Sequence, residues 1–378
     1  MPLFHDEDQA MLKDMAAPFL SDAAPVSHLR ALRDADDPAG YSRDLWRRFG
    51  EQGLAGVLVP AAHGGSGLGH VEAGIVLEEI GRNLTPSPFL TSAVAGTTAL
   101  ASADEGLQSR WLPRIAAGDA VVALAIDEGP KHRPTAISAT AVRAGNGFRL
   151  EGGKQFVIHA KSADLLIVAA RTGGAAGDEA GITLFAVDPA AGGLSIDPVR
   201  LADSTIAGRL ALDGVAVDAD AVIGEIDGGW ELLSRMLDAG RAGAAAEMIG
   251  AAAAALDRTV EYLGQRSQFG RLIGEFQVLQ HRAAHLYSEL EIARAAVLKA
   301  QQLLDAGDER APLMVAVAKA KAGRASALAV QEGVQMHGGI GMTDAHDIGL
   351  FMKRQRVLDE LFGDPGFHAD RVARLNGY

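Results

Sequence analysis

The sequence predicts an α+β multidomain protein: an N-terminal all-helical domain over residues 1–118, a middle antiparallel β-domain over 119–225 and a C-terminal four-helix bundle over 226–378. Apolar residues recur at helical spacing up to about Gly118, alternate as in strands beyond it, and return to helical spacing from Gly229. The length of 378 residues also exceeds what a single hydrophobic core usually supports.

The N-terminal segment contains several amphipathic helices. Leu12, Met15 and Phe19 lie at spacings of three and four, and residues 71–80 form a second such face. The glycine-rich run Gly64–Gly69 between them lacks the Lys-Ser/Thr that would complete a phosphate loop. It is therefore interpreted as a turn.

The middle segment contains short, β-branched runs punctuated by glycine, which are typical of strands. They cover residues 121–126, 139–142, 165–168 and 182–187. In the C-terminal segment, helices are predicted at residues 230–266, 277–306 and 312–337, with a break at Gly338-Gly339, then at 354–361 and after Pro365.

Composition excludes several classes of function. The net charge is −13 and no long basic run occurs, so a nucleic-acid groove is not expected. There are no cysteines, which excludes disulfides, thiolate chemistry, cysteine-ligated zinc and iron–sulfur clusters. The histidines share no ligand spacing, so no metal site is predicted.

The first twenty residues carry several charges and do not resemble a signal peptide. No stretch of about 18 uncharged apolar residues is present to span a membrane. The chain is therefore expected to be cytoplasmic.

Two C-terminal motifs carry the functional signal, residues 266–277 (RSQFGRLIGEFQ) and 335–341 (QMHGGIG). Arg266 offers a permanently charged, rigid fork that suits a pyrophosphate. Gln277, eleven residues further on, carries an amide for the same ligand. Glycines at 338 and 339 would let a cofactor pass close to the main chain.

These two motifs resemble the signatures of the acyl-CoA dehydrogenase superfamily. Further likeness runs through residues 56–69, 78–82 and 152–157, so the resemblance covers nearly the whole chain. It implies the helical, β, helical fold and FAD as cofactor. It also implies that one set of residues holds the adenine half of the FAD of a neighbouring subunit, and hence an oligomer. That set is Arg266, Phe269, Gln277, Gln335, Gly338 and Gly339.

The family's reaction is α,β-dehydrogenation of an acyl-CoA thioester, with an electron-accepting flavoprotein as the expected electron partner. A carboxylate removes the α-proton while the β-hydride passes to the flavin. The two positions that usually supply this base are occupied here by Phe362 and Gly240, and neither can move a proton. Asp359, Glu360 and Asp364 around Phe362 are interpreted as solvated or inter-subunit charges.

Other departures fall on the elements that would surround the chain's own flavin. The family's Thr-Glu-Pro stretch is replaced by residues 126–133 (IDEGPKHR), and the hydroxyl of its Trp-Ile-Thr pattern is replaced by Ile158. By contrast Arg241, which matches a CoA-contacting position, is kept.

The losses therefore predict the base-lacking subunit type of an α2β2 acyl-CoA dehydrogenase. One alternative is a self-sufficient, homo-oligomeric dehydrogenase whose base has moved to Glu247, two turns beyond Gly240 on one helix face. Glu247 could equally be a buried carboxylate paired with an arginine. Another alternative is an acyl-CoA-binding or scaffold protein without redox chemistry. The sequence does not identify the acyl group.

Overall fold

The computed structural model describes residues 3–378, which form two compact units. The helical unit comprises the residues up to Ala31, His70–Thr85 and Arg241–Tyr378. The sheet unit comprises Leu32–Gly69 and Pro86–Gly240. The domain boundaries expected at residues 118 and 225 stay a prediction.

The helices before the sheet are short to medium in length. They are α1 (Glu7–Ala23), α2 (Val26–Asp34), α3 (Arg43–Glu51), α4 (His70–Asn83), a π-helix (Leu90–Gly96) continuous with α5 (Thr97–Leu100), and α6 (Glu105–Ala116). Asp6, Ser42 and Asp104 cap α1, α3 and α6 by accepting bonds from main-chain N–H groups of the first turn.

The sheet has eight strands. They are β1 (Val122–Ala125), β2 (Thr140–Ala144), β3 (Gly147–Ile158), β4 (Leu165–Arg171), β5 (Ile182–Val187), β6 (Leu194–Arg200), β7 (Ile206–Asp218) and β8 (Val222–Ile223). Their order is β6-β7-β3-β2-β4-β5-β8, with β1 paired to β4. Most pairs are antiparallel, but β1–β4 and the single β2–β4 pairing are parallel. Apolar side chains facing one core hold the sheet, among them Leu150, Val157, Leu166, Val168, Phe185, Leu210 and Val215.

The C-terminal part is helical, as predicted. It consists of α7 (Trp230–Gln265), the hairpin of β9 (Ser267–Gln268) and β10 (Arg271–Leu272), α8 (Gln277–Asp305), α9 (Ala311–His337), α10 (Ile348–Glu360) and α11 (Pro365–Leu375). The expected helical, β, helical order is confirmed.

In the helical unit, α4 and α7 approach each other at two glycines. A Cβ on Gly81 would lie 2.1 Å from the carbonyl oxygen of Glu247, and one on Gly250 would lie 1.8 Å from that of Glu78. Any larger residue at either position would force the helices apart. This close approach fixes the part of α7 that carries Glu247.

Two ion pairs reinforce the same region. Glu78 pairs with Arg294 of α8 at 3.0 Å, and Arg82 pairs with Asp257 of α7 at 2.7 Å. The motif at residues 78–82 is therefore explained by helix packing.

No helix within residues 3–378 combines the length and apolarity needed to cross a membrane. Across the same residues, no cluster of three or more His, Asp or Glu side chains is arranged to hold a metal ion.

Candidate functional site

The turn that joins α10 to α11 carries the position predicted from the sequence for the catalytic base. Phe362 occupies this position with φ at +60°, a left-handed conformation that is uncommon for a bulky residue. Its side chain is buried, and its carbonyl oxygen accepts a hydrogen bond from Arg241 Nε at 3.1 Å. The Arg241 guanidinium also lies over the ring of Phe367, 5.4 Å from its centroid. Arg241 and Phe362, which are 121 residues apart in sequence, are thus in direct contact.

Asp359 lies three residues before Phe362. The expectation that it is a solvated or inter-subunit charge is wrong, because it is buried within this chain. Its Oδ1 faces α9, where a Cβ on Gly323 would lie only 2.3 Å away. Burial raises the pKa of the Asp359 carboxyl, and the nearby Lys319 ammonium opposes that rise. The carboxyl therefore faces a packed helix backbone.

The other two carboxylates of the turn have partners. Glu360 pairs with Arg356 one helical turn earlier, at 2.7 Å. Asp364 caps α11, since its Oδ1 accepts the main-chain N–H of Phe367 at 2.8 Å. Both carboxylates are accounted for by local structure.

Glu247 is almost completely buried in α7, with 1% of its surface exposed. Its Oε1 accepts a hydrogen bond from Arg354 Nε of α10 at 2.7 Å, and Arg354 Nη2 lies 2.6 Å from the same oxygen. The pair is a charge-assisted hydrogen bond. The geometry gives Glu247 a structural partner within its own unit.

The motif at residues 266–277 forms an exposed hairpin. Phe269 stands at its tip with φ at +54° and 91% of its surface exposed, and Gly270 follows with φ at +80°. Arg271 lies over the ring of Phe276, 3.9 Å from its centroid, which braces the hairpin against the start of α8. Arg266 and Gln277 are both exposed at its base.

The end of α9 lies beside the end of α7. The ring of His337 stacks on Tyr262, four residues before Arg266, with centroids 4.6 Å apart. The main chain then turns at Gly338, where φ is +63° and a Cβ would meet nothing within 4 Å. Gly339 is equally open, and Gln335 is exposed.

We call Arg266, Phe269, Gln277, Gln335, Gly338 and Gly339 the nucleotide edge. Within residues 3–378 the Arg266 guanidinium forms no ion pair, so it can receive an external anion. Amide side chains and two open glycines complete the set. A permanent cation, two amides and a bare main chain fit the pyrophosphate and adenine parts of a dinucleotide.

In the sheet unit, residues 126–133 form a loop closed by its own charges. Asp127 Oδ2 lies 2.8 Å from His132 Nδ1, and Glu128 Oε1 accepts a bond from Lys154 Nζ at 2.7 Å. Lys154 is buried and also donates to the carbonyl oxygen of Ile126. Burial lowers the pKa of Lys154, and Glu128 opposes that shift. Both carboxylates of the loop are therefore engaged.

The segment that replaces the Trp-Ile-Thr pattern ends β3. Phe156 sits at an irregularity in the β3–β7 pairing, with φ at +55° and 47% of its surface exposed. Ile158 is buried and brings no hydroxyl. His159 follows outside the strand, with φ at +62° and its ring edge against Tyr41.

Comparison with known proteins gives three consecutive family matches. Residues 6–119, 127–215 and 227–375 match the N-terminal, middle and C-terminal domains of acyl-CoA dehydrogenases. The acyl-CoA dehydrogenase IpdE2 of Mycobacterium tuberculosis is 32% identical over 363 residues, covering 95% of this chain and 94% of that protein. The chain belongs to the acyl-CoA dehydrogenase family.

Solved acyl-CoA dehydrogenase structures have the same fold. A variant of the Tcur3481-Tcur3483 steroid ACAD is 30% identical, with a TM-score of 0.88 over 98% of each chain. The ChsE4-ChsE5 complex of Mycobacterium tuberculosis is 25% identical, with a TM-score of 0.88 over all of both chains.

Two buried lysines were not predicted from the sequence. Lys319 donates to main-chain carbonyl oxygens at the end of α10, and Lys154 donates to the carbonyl oxygen of Ile126. Lys319 had a detectable signal, because it stands in an alanine- and valine-rich run where a solvated lysine is not expected.

Proposed function

We propose that this chain is the base-lacking subunit of a hetero-oligomeric, FAD-dependent acyl-CoA dehydrogenase. In this proposal the nucleotide edge completes a FAD site on a partner chain, and the partner supplies the catalytic carboxylate. The acyl-CoA thioester is the substrate, and an electron-accepting flavoprotein takes the electrons.

The turn at Phe362 carries the proposal. An apolar side chain occupies the position of the family's usual base, and two of the three carboxylates around it, Glu360 and Asp364, are committed to other partners. Asp359 faces Gly323, Glu360 pairs with Arg356, and Asp364 caps α11. A general base must reach the proton that it removes. Glu360 and Asp364 are bonded elsewhere, and the buried Asp359 carboxyl, whose Oδ1 has no hydrogen-bond partner within residues 3–378, faces α9.

The relocated-base alternative is disfavoured by the state of Glu247. The Glu247 carboxylate is paired with Arg354 and thereby fixed in direction. To act as a base it would have to break this pair.

Different residues of this chain would bind the cofactor and the substrate. FAD, when bound, supplies the hydride acceptor. Arg266 would neutralise the pyrophosphate, the amides of Gln277 and Gln335 would bond the adenosine half, and Gly338 would let it approach the main chain. Arg241 is buried, with 2% of its surface exposed, and is held by the carbonyl of Phe362; its family position would place it beside the CoA part of the substrate.

The hetero-oligomeric part is supported by the relatives. Two similar structures carry paired names, the Tcur3481-Tcur3483 steroid ACAD and the ChsE4-ChsE5 complex. The test is co-expression with an acyl-CoA dehydrogenase-like protein that has Glu at the base position, followed by measurement of FAD per chain. A stable complex in which acyl-CoA reduces the bound flavin supports the proposal. Two proteins that never associate contradict it.

Replacing Arg266 by Ala is expected to weaken FAD binding by the complex on the order of ten- to a hundredfold. The change removes a hydrogen bond to a charged group, which contributes about 1.5–3 kcal/mol. Equilibrium dialysis of FAD against the purified complex measures it.

Arg271→Ala is the matched control, because Arg271 is an exposed arginine on the same hairpin whose guanidinium stacks on Phe276. It changes the net charge equally. Equal FAD loss in both variants would attribute the effect to overall charge or to the hairpin that Arg271 braces, and no loss in Arg266→Ala would remove Arg266 from the site.

A further inference from the structure

Lys319 lies in the middle of α9 with 1% of its surface exposed. A buried ammonium is unfavourable unless its three N–H donors are satisfied. In Lys319 all three donors have acceptors. Nζ donates to the carbonyl oxygens of Leu358 at 3.0 Å, Asp359 at 3.0 Å and Gly363 at 3.1 Å.

These acceptors lie where α10 ends. A helix leaves its last four carbonyl groups without intrahelical partners. At this end, the carbonyl of residue 357 accepts from the N–H of Leu361 and that of Glu360 accepts from the N–H of Gly363. Lys319 supplies the donor for the two carbonyls between them. Its charge also complements the negative end of the helix dipole.

The turn after α10 is held in the same way. Lys319 bonds the carbonyl of Gly363, and Arg241 bonds that of Phe362. The left-handed conformation of Phe362 is a strained one that persists only when its surroundings fix it. Two buried cations, one from α9 and one from α7, provide that constraint.

We propose that Lys319 is a positioning residue, which fixes the turn at 361–364 and through it the orientation of Arg241 toward acyl-CoA. The part that concerns acyl-CoA rests on the proposed function. The part that concerns the turn rests on the three hydrogen bonds alone.

Charge around Lys319 makes the arrangement sensitive to pH. Asp359 and Glu360 of α10 and Asp364 of the turn favour the ammonium, while Arg241 of α7 opposes it; the buried His368 of α11 lies beside Gly363. Burial outweighs the acidic groups and lowers the pKa of Lys319 to about 8. A neutral amine has two N–H donors, so above this pH one of the three carbonyls loses its donor.

The direction of the stability change separates this effect from unfolding. The unfolded chain keeps the Lys319 proton up to its ordinary pKa of 10.5. Between pH 8 and 10.5 the unfolded state therefore binds more protons, and this group makes folding more favourable as pH rises. In this pH range the contribution of Lys319 to the free energy of unfolding increases. A loss of acyl-CoA affinity over the same range would therefore come from a change in the turn and not from unfolding of the protein.

The first test is amide hydrogen exchange of the full chain, followed in peptides that span residues 358–366. Lys319→Met is expected to speed exchange there by on the order of tenfold or more, because it removes all three donors from the turn. Val315→Ala, a buried truncation one turn earlier on α9, is the matched control and should leave this segment protected. Protection unchanged in Lys319→Met, or lost equally in both variants, would overturn the positioning role.

The second test is acyl-CoA binding to the FAD-loaded complex across pH 6.5–9.5. The wild type should lose affinity as pH rises through about 8, and Lys319→Arg, which stays charged, should show no such step. An identical step in both would overturn the role of Lys319 in binding. A complex that binds no acyl-CoA at any pH would instead overturn the proposed function, while the exchange test still decides the turn.

Discussion

The purified chain alone is expected to give no flavin reduction with any acyl-CoA, and to become half of an active enzyme when a Glu-bearing partner is added. A positioned general base contributes roughly 10²–10⁴-fold to rate. Since Phe362 and Gly240 cannot take a proton, the isolated chain should show that full loss. Anaerobic bleaching of the flavin absorbance by acyl-CoA measures it.

The matched control is Phe362→Glu in the isolated chain. We expect no rescue, because residue 362 is buried in a left-handed turn and the loop at 126–133 stays closed by the Asp127–His132 contact and the Glu128–Lys154 ion pair. Turnover by the wild-type chain without a partner would contradict the partner-subunit proposal directly. A yellow complex that acyl-CoA never bleaches would favour the non-redox alternative.

Three long C-terminal helices could be predicted from the sequence almost to the residue, whereas the helix expected at 354–361 is observed at Ile348–Glu360. The helix expected at 277–306 is observed at Gln277–Asp305, and the one expected at 312–337 at Ala311–His337. Glycine breaks and long apolar periods define such ends. The two longest antiparallel strands, β3 and β7, were missed. Gly152 and Gly153 interrupt the alternation of β3, and its pairing with β7 shifts register twice.

Residue type alone suggested candidate site residues, but it did not show how side chains pair. Arg266, Gln335 and Gly338 could be proposed because a cation, an amide and a bare main chain have few other joint uses, and their role stays a prediction. The burial of Asp359 could not be predicted, because it depends on the absence of a side chain at Gly323, which lies on another helix. Pairs such as Lys319 with the end of α10 join residues some forty positions apart, beyond any local pattern.

The pair of Glu247 and Arg354 gives the last prediction, and its two halves should differ. Removing one partner of a buried ion pair costs roughly 3–5 kcal/mol when it leaves an uncompensated charge. Glu247 is the buried member, while the Arg354 side chain is 20% exposed. Arg354→Met should therefore cost the most, because it removes the guanidinium from a buried carboxylate. Glu247→Gln should cost less, because the guanidinium keeps an amide acceptor and some solvent.

Urea unfolding of the two single variants and of the double variant Glu247→Gln/Arg354→Met measures these costs. The double variant should recover part of the stability lost in Arg354→Met, since no charge is then left unpaired. Flavin reduction in the complex separates structure from catalysis. Glu247→Gln should leave the reduction rate per bound FAD unchanged, because in the proposed complex the base belongs to the partner. A fall of 10²-fold or more in that rate, with FAD retained and stability little altered, would make Glu247 the base and this chain self-sufficient.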